Sequence, residues 1–328
     1  MQRASPGFRR LAVVTAVVTY LLILVGGVVR VTGSGDGCGS SGGWPLCNGT
    51  LLPALRATTL IEFSHRWATT LTTALIVALA VSAWLTQRRR RNLVIGSSIA
   101  GVLLLLQIAL GALVVEFDLP GGIVMIHLAN ALLLLGVLVY VAVSAGSADP
   151  GSVRLATGRA PWQPATPKLT ALMAAATYVL ALSGALVVET RSSAGCDGWP
   201  LCGGGFQLPA NQMDVIDTVH RVVAGVVVVG IAVTVVAVLR RHRGDRALRR
   251  AGALVLAAVV LQIAAGALVV VLRLPAALQG LHIGLAGLLW ASVVMVAVLT
   301  RTRQTHTVAE TARPAEALRA AAAGMAST

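Results

Sequence analysis

Eight stretches of about 20 or more mostly apolar residues run through this chain, at approximately 11–30, 59–85, 93–116, 122–145, 168–189, 214–239, 251–272 and 276–299. No other feature narrows the possible folds as much. A helical stretch of that length matches the roughly 30 Å hydrocarbon thickness of a bilayer. Away from water, the backbone N–H and C=O groups of each stretch must be satisfied within it, as a helix does. Composition agrees, with 56% hydrophobic and only 12% charged residues, too few charges for the surface of a soluble domain this long. The net charge of +14 does not point to nucleic acid as a partner. The arginines sit in short clusters between apolar runs, and no basic helix is interleaved with aromatics. Lipid is the expected surround, and the expected fold is an all-α integral membrane protein with eight transmembrane helices.

Charge alternates between the connections. One side receives Arg3, Arg9 and Arg10, the run Arg88 to Arg91, Arg154, Arg159, Lys168, a cluster from Arg240 to Arg250, and Arg301 and Arg303. The other has Arg56, Arg191 and Arg273 near span ends, with Arg30 at the first boundary. The positive-inside rule places both termini in the cytoplasm and the opposite loops outside. The first run follows Arg9 and Arg10 and is too long for the apolar part of a signal peptide, so it reads as a span. All four cysteines, Cys38, Cys47, Cys196 and Cys202, fall in the outside loops, where disulfides are permitted.

The chain repeats itself. Trp44-Pro45-Leu46-Cys47 returns as Trp199-Pro200-Leu201-Cys202, an offset of 155. His65-Arg66 returns as His220-Arg221, Gln107 as Gln262, Leu119-Pro120 as Leu274-Pro275 and His127 as His282, all at 155. Four spans per unit is an even number, so both units insert the same way round. The expectation is two tandem four-helix bundles related by a pseudo-two-fold axis along the membrane normal. The halves are residues 1–150 and 151–328, joined by a stretch near 146–167 containing Gly, Pro and Ser. The core of such a bundle is the usual place for a cofactor.

Of six histidines, His242 and His306 lie in arginine-rich segments. The other four are the repeated ones, paired within each half at a spacing of 62 on its second and fourth helices. A histidine inside the membrane needs a partner. Two pairs at one spacing and a shared depth point to haem iron, which takes axial imidazoles from opposite faces. Zinc fits less well, because no cysteine or further carboxylate joins them in both halves. The pairs His65 with His127 and His220 with His282 therefore read as two haem sites. Arg66 and Arg221 are candidates for pairing with haem carboxylates.

Glu62 and its counterpart Asp217 each lie three residues before a histidine, on nearly the same helical face. A carboxylate there orients an imidazole or moves protons. Gln107 and Gln262 read as bonds between helices. The cysteines are spaced Cys-x8-Cys and Cys-x5-Cys, neither a metal-binding nor a thioredoxin-like pattern. Loop-stiffening disulfides and a thiol–disulfide relay both remain open, with the repeat favouring pairing within each half.

Gly26-Gly27-Val28-Val29-Arg30-Val31-Thr32-Gly33-Ser34-Gly35, then Cys38, Trp44-Pro45-Leu46-Cys47 and Glu62-x2-His65-Arg66, resembles the haem A synthase family, in its bacterial cysteine-pair-containing form. The resemblance runs over roughly residues 10–300. One departure is the Gly/Ser-rich stretch between Cys38 and Trp44, where the family pattern carries Pro-Asp. The resemblance implies an oxidoreductase of the bacterial cell membrane that oxidises the C8 methyl of haem O to a formyl group, giving haem A for terminal oxidases. It further implies that His65 and His127 stand beside the substrate haem, that His220 and His282 hold a b-type haem, and that Glu62 is the catalytic carboxylate. Haem O and haem A, an electron donor and the haem O-producing farnesyltransferase are the implied partners. A di-haem cytochrome b electron carrier explains the histidines equally well but leaves Glu62 unused. A quinone-linked thiol oxidase uses the cysteines and leaves the histidines idle.

Overall fold

The structure, a computed structural model, describes residues 4–39, 46–51, 53, 55–117, 121–147, 166–194, 198–202, 209 and 211–325, with side chains as far as Thr302. These residues form α1 (Pro6–Val31), α2 (Ala57–Thr86), α3 (Arg91–Glu116), α4 (Gly121–Gly146), α5 (Thr166–Glu189), α6 (Gln212–Arg241), α7 (Arg246–Val271) and α8 (Ala276–Met325). All eight carry a stretch long and apolar enough to cross a bilayer, and the chain is a multi-pass membrane protein. The joint between the halves, Trp44-Pro45 and Cys196 lie outside the described residues.

The apolar runs locate the helices, and polar side chains set several ends beyond them. α1 starts before its apolar run because the Ser5 hydroxyl accepts from the N–H of Phe8 and Pro6 opens the first turn. α7 starts at Arg246 because the Asp245 carboxylate accepts from the N–H groups of Ala247 and Leu248. α8 crosses over Ala276–Thr302 and continues as one helix to Met325, well past the apolar run near 276–299.

Within each half the helices close a ring. α1 packs on α2 and α4, and α3 on α2 and α4; α5, α6, α7 and α8 repeat those four pairings. The buried apolar side chains gather at one end of each ring. In the first half they include Phe8, Ile76, Leu79, Leu93, Leu138 and Val141; in the second, Ile231, Val238, Leu248, Val255, Val293 and Val296. These belong to the ends of the helices that border the arginine clusters. Neither apolar cluster reaches the cysteine-loop ends, where the four histidines lie.

α8 is the most enclosed of the eight helices, packed against α1, α4, α5 and α7. The halves meet through α1 and α4 on one side and α5 and α8 on the other. Tyr20 on α1 donates its hydroxyl to the Gly284 carbonyl on α8 at 3.2 Å, and Tyr178 on α5 donates to the Ala129 carbonyl on α4 at 3.1 Å. Gly284 is Ala129 shifted by 155, and Tyr178 is Tyr20 shifted by 158. The two bonds are therefore the same contact made in both directions. Trp290 adds a one-sided anchor: it donates to the Leu132 carbonyl at 2.8 Å and lies 5.4 Å from the Tyr178 ring, where the first half has only Leu135. Tyr20→Phe and Tyr178→Phe should each lower stability by about 1 kcal/mol, and by similar amounts, in thermal unfolding in detergent. A large difference between the two would show that the contacts are not equivalent.

Candidate functional site

The four histidines occupy matched places. His65 and His220 come eight residues after the first residues of α2 and α6, and His127 and His282 six after those of α4 and α8. At 1.5 Å per residue all four lie about 9–12 Å from the cysteine-loop ends of their helices. In each half the two histidines stand on helices across the ring from one another, α2 and α4 or α6 and α8, at matched depth. Sequence spacing implied these pairs, and the fold sets both members of each at the cysteine-loop end of one ring.

Every one of these rings rests against a glycine of a neighbouring helix. A β-carbon added at Gly26 would lie 3.2 Å from Cε1 of His65, and one at Gly111 would lie 3.3 Å from that of His127. The matching distances are 3.1 Å at Gly184 to His220 and 2.8 Å at Gly266 to His282. Larger residues at these four positions would displace the imidazoles. Gly26 and Gly184 are related by 158, like the tyrosines.

The rings differ in what surrounds them. Nδ1 of His65, His127 and His282 is buried with no hydrogen-bond partner. Nδ1 of His220 stands 2.8 Å from the Ser183 hydroxyl. That hydroxyl also lies 2.8 Å from the Leu180 carbonyl, and when it donates there it accepts from the Nδ1–H of the imidazole. His220 then carries its proton on Nδ1 and leaves the Nε2 lone pair bare. The counterpart of Ser183 in the first half is Val25. Nε2 of His127 and of His282 face the amide nitrogens of Gln107 at 3.0 Å and Gln262 at 3.2 Å.

Buried imidazoles in matched pairs, partly unsatisfied and seated on glycine at the end each apolar core leaves free, fit a large flat group held by two axial nitrogens. Haem is such a group, with His65 and His127 as the residues that would hold one and His220 and His282 the other.

Glu62 is 4% exposed and fully engaged. Its Oε2 accepts from the Cys38 N–H at 2.6 Å, and its Oε1 accepts from Arg66 Nε at 3.0 Å and Nη2 at 2.7 Å. Arg66 also donates to the carbonyls of Leu46 at 2.7 Å and Gly39 at 3.0 Å. Cys38 and Cys47 are disulfide-bonded. The loop is thus closed by its disulfide and fastened to α2 by one carboxylate and one guanidinium. The second half repeats the device: Arg221 pairs with Asp217 at 2.5 Å and donates to the Gly198 carbonyl at 2.7 Å. Cys202 is disulfide-bonded and accepts from the Thr218 hydroxyl at 3.2 Å. The arginines that sequence reading directed at haem carboxylates have their donors on these acids and loop carbonyls.

A further ion pair ties the halves together at this level. Arg30 on α1 donates from Nε and Nη2 to the two oxygens of Glu189 on α5, at 3.1 and 2.8 Å. The Glu189 carboxylate also packs so closely on Gly121 that no β-carbon fits there. Sequence reading gave no site role to Glu189, Ser183, Asn130 or the four glycines, of which Gly26 entered it only within a motif. Ser183 and Asn130 were detectable as polar residues in apolar runs whose counterparts, Val25 and Leu285, are apolar.

Comparison with known proteins points the same way. A family model described as cytochrome oxidase assembly protein matches residues 9–294. A heme A synthase of Symbiobacterium thermophilum is 32% identical over 320 residues, covering 93% of this chain and 99% of that protein. Heme A synthases of Bacillus pumilus and Listeria monocytogenes are 31% and 30% identical, over 73% and 78% of this chain and 78% and 83% of their own lengths. With its paired histidines, its acid–arginine loop clasps and this similarity along most of its length, the chain belongs to the haem A synthase family.

Proposed function

We propose that this protein is a haem A synthase, which oxidises the C8 methyl of haem O to a formyl group. That conversion removes four electrons and introduces one oxygen atom, so the protein works with an electron-transfer partner. A prenyl-transferring enzyme that makes haem O supplies its substrate. Residues 1–150 form the substrate half, with His65 and His127 beside haem O, and residues 151–328 hold a resident haem b through His220 and His282. The bound haem b would supply one-electron transfer.

The observation that carries this reading is that the two sites are alike in their histidines and unlike around them. In the C-terminal half, Ser183 fixes the tautomer of His220 that presents a bare Nε2, as a permanent axial ligand requires. In the N-terminal half no hydroxyl among the described residues bonds to His65 Nδ1, and Glu62 is longer by one methylene than its counterpart Asp217. Glu62 then holds or moves a proton at the substrate edge, while Arg66 and Arg221 keep the loops in place above the two sites. The arginine distribution supports an orientation with both termini in the cytoplasm and the disulfide loops outside. Pairing of Cys196 with Cys202 and a pseudo-two-fold axis along the membrane normal complete the proposal; the reciprocal tyrosine contacts support the axis.

The test is haem extraction from the purified protein, expressed with and without a haem O supply, followed by chromatography and mass analysis. The expected result is haem A only when haem O is supplied, beside haem B in both cases. Haem B alone under both conditions would sink the synthase reading and leave an electron carrier.

A further inference from the structure

We propose that Asn130 is a positioning residue that makes His127 a displaceable axial ligand, and so sets the N-terminal site apart from the closed C-terminal one. The inference rests on the reading above only in that each half takes a haem.

Asn130 is 4% exposed and lies three residues after His127 on α4. Its amide nitrogen donates to the Leu103 carbonyl at 2.9 Å and to Oε1 of Gln107 at 2.6 Å. A backbone carbonyl only accepts, which fixes the orientation of the Asn130 amide. The oxygen of Gln107 is thereby taken, and its amide nitrogen faces Nε2 of His127. An amide nitrogen has no lone pair to offer, so Gln107 donates and His127 Nε2 accepts. The lone pair through which His127 would bind iron is held by an amide that is itself held by Asn130.

The C-terminal half has the glutamine without the anchor. Gln262 faces His282 Nε2 at 3.2 Å, but its Oε1 is buried with no hydrogen-bond partner. The position of Asn130 is filled there by Leu285. Swinging the Gln262 amide aside frees His282 and breaks no second bond, whereas freeing His127 also breaks the Gln107–Asn130 bond. One net hydrogen bond changes such a balance by about fivefold. Asn130 therefore biases His127 towards release and leaves an open position on the substrate side.

The full-length protein, prepared without haem O and saturated with haemin at two per chain, is reduced and titrated with carbon monoxide, which binds where an axial ligand gives way. Ferric spin state is read on the same samples. The wild-type protein should bind carbon monoxide at one haem and hold the other low-spin. Asn130→Leu should weaken carbon monoxide binding about fivefold and raise the low-spin fraction. Gln107→Leu should do the same, and the double variant no more. Leu285→Asn should raise carbon monoxide binding at the second haem. A structural tie between α3 and α4 would change thermal stability and leave ligation untouched, so unchanged titrations in Asn130→Leu overturn the proposal. If that variant fails to fold, an unchanged titration in Leu285→Asn overturns it instead. No haem O enters this experiment, so its failure is separate from any failure of the synthase reading.

Discussion

Replacing Glu62 with alanine should stop conversion of haem O and loosen the first cysteine loop in the same step. Two groups lose their acceptor: the buried guanidinium of Arg66 and the N–H of Cys38. Breaking a buried ion pair from one side costs about 3–5 kcal/mol, because a charge is left without its partner. Loss of a proton-moving group lowers the rate by about 10²–10⁴. Glu62→Gln keeps an acceptor oxygen for Cys38 but, like alanine, leaves Arg66 without its counter-charge and carries no transferable proton, so two separate measurements are needed. Thermal unfolding reports the first effect, and the ratio of haem A to haem O in extracts reports the second. Full conversion by Glu62→Gln would leave the carboxylate a fastening of the loop and nothing more.

His282→Ala should empty the C-terminal half of its haem. Losing a hydrogen-bond partner behind a ligating histidine weakens metal binding by about 10–100-fold, so losing the ligand should exceed that. The deleted ring leaves a space beside Gly266, where even a β-carbon would have stood 2.8 Å from it. Imidazole added together with haemin should enter that space and restore a low-spin absorption spectrum, which a misfolded protein would not do. Retention of a normal low-spin haem without imidazole would show that His282 is not an axial ligand.

The spans were legible because a backbone inside lipid has one inexpensive conformation, and length with apolarity suffices to find it. The histidine pairs were legible because duplication repeats them at a fixed distance. The same arithmetic hid the first helix of each unit. The second cysteine loop is three residues shorter, Cys-x5-Cys against Cys-x8-Cys, so features before it match at 158 and not at 155. Tyr20 with Tyr178, Gly26 with Gly184 and Thr32 with Thr190 all fall in that shifted register; Thr32 and Thr190 each cap their helix end and meet a serine two residues on. Arg66 marks a different limit. Its charge and place suggested a haem carboxylate; spacing could not foresee the four hydrogen bonds it makes to Glu62 and to a loop folded back onto α2. Ser183 and Asn130 stand out along the chain only as polar residues in apolar runs; their partners are fixed only when α5 faces α6 and α4 faces α3.

The reciprocal tyrosine contact bears on how such a protein could arise. A single four-helix unit bearing that tyrosine on its first helix and that carbonyl on its fourth contains both sides of the contact. Two copies would meet as an isologous homodimer without any further surface. In a homodimer every substitution arrives twice, once in each subunit. Ser183 could not serve one histidine while Val25 stood at the other, nor could Asn130 face Leu285, or Trp290 face Leu135. Fusion into one chain removes that constraint. It makes inequality between two identical sites available to selection, and in this protein the inequalities cluster around the histidines and along the seam between the halves.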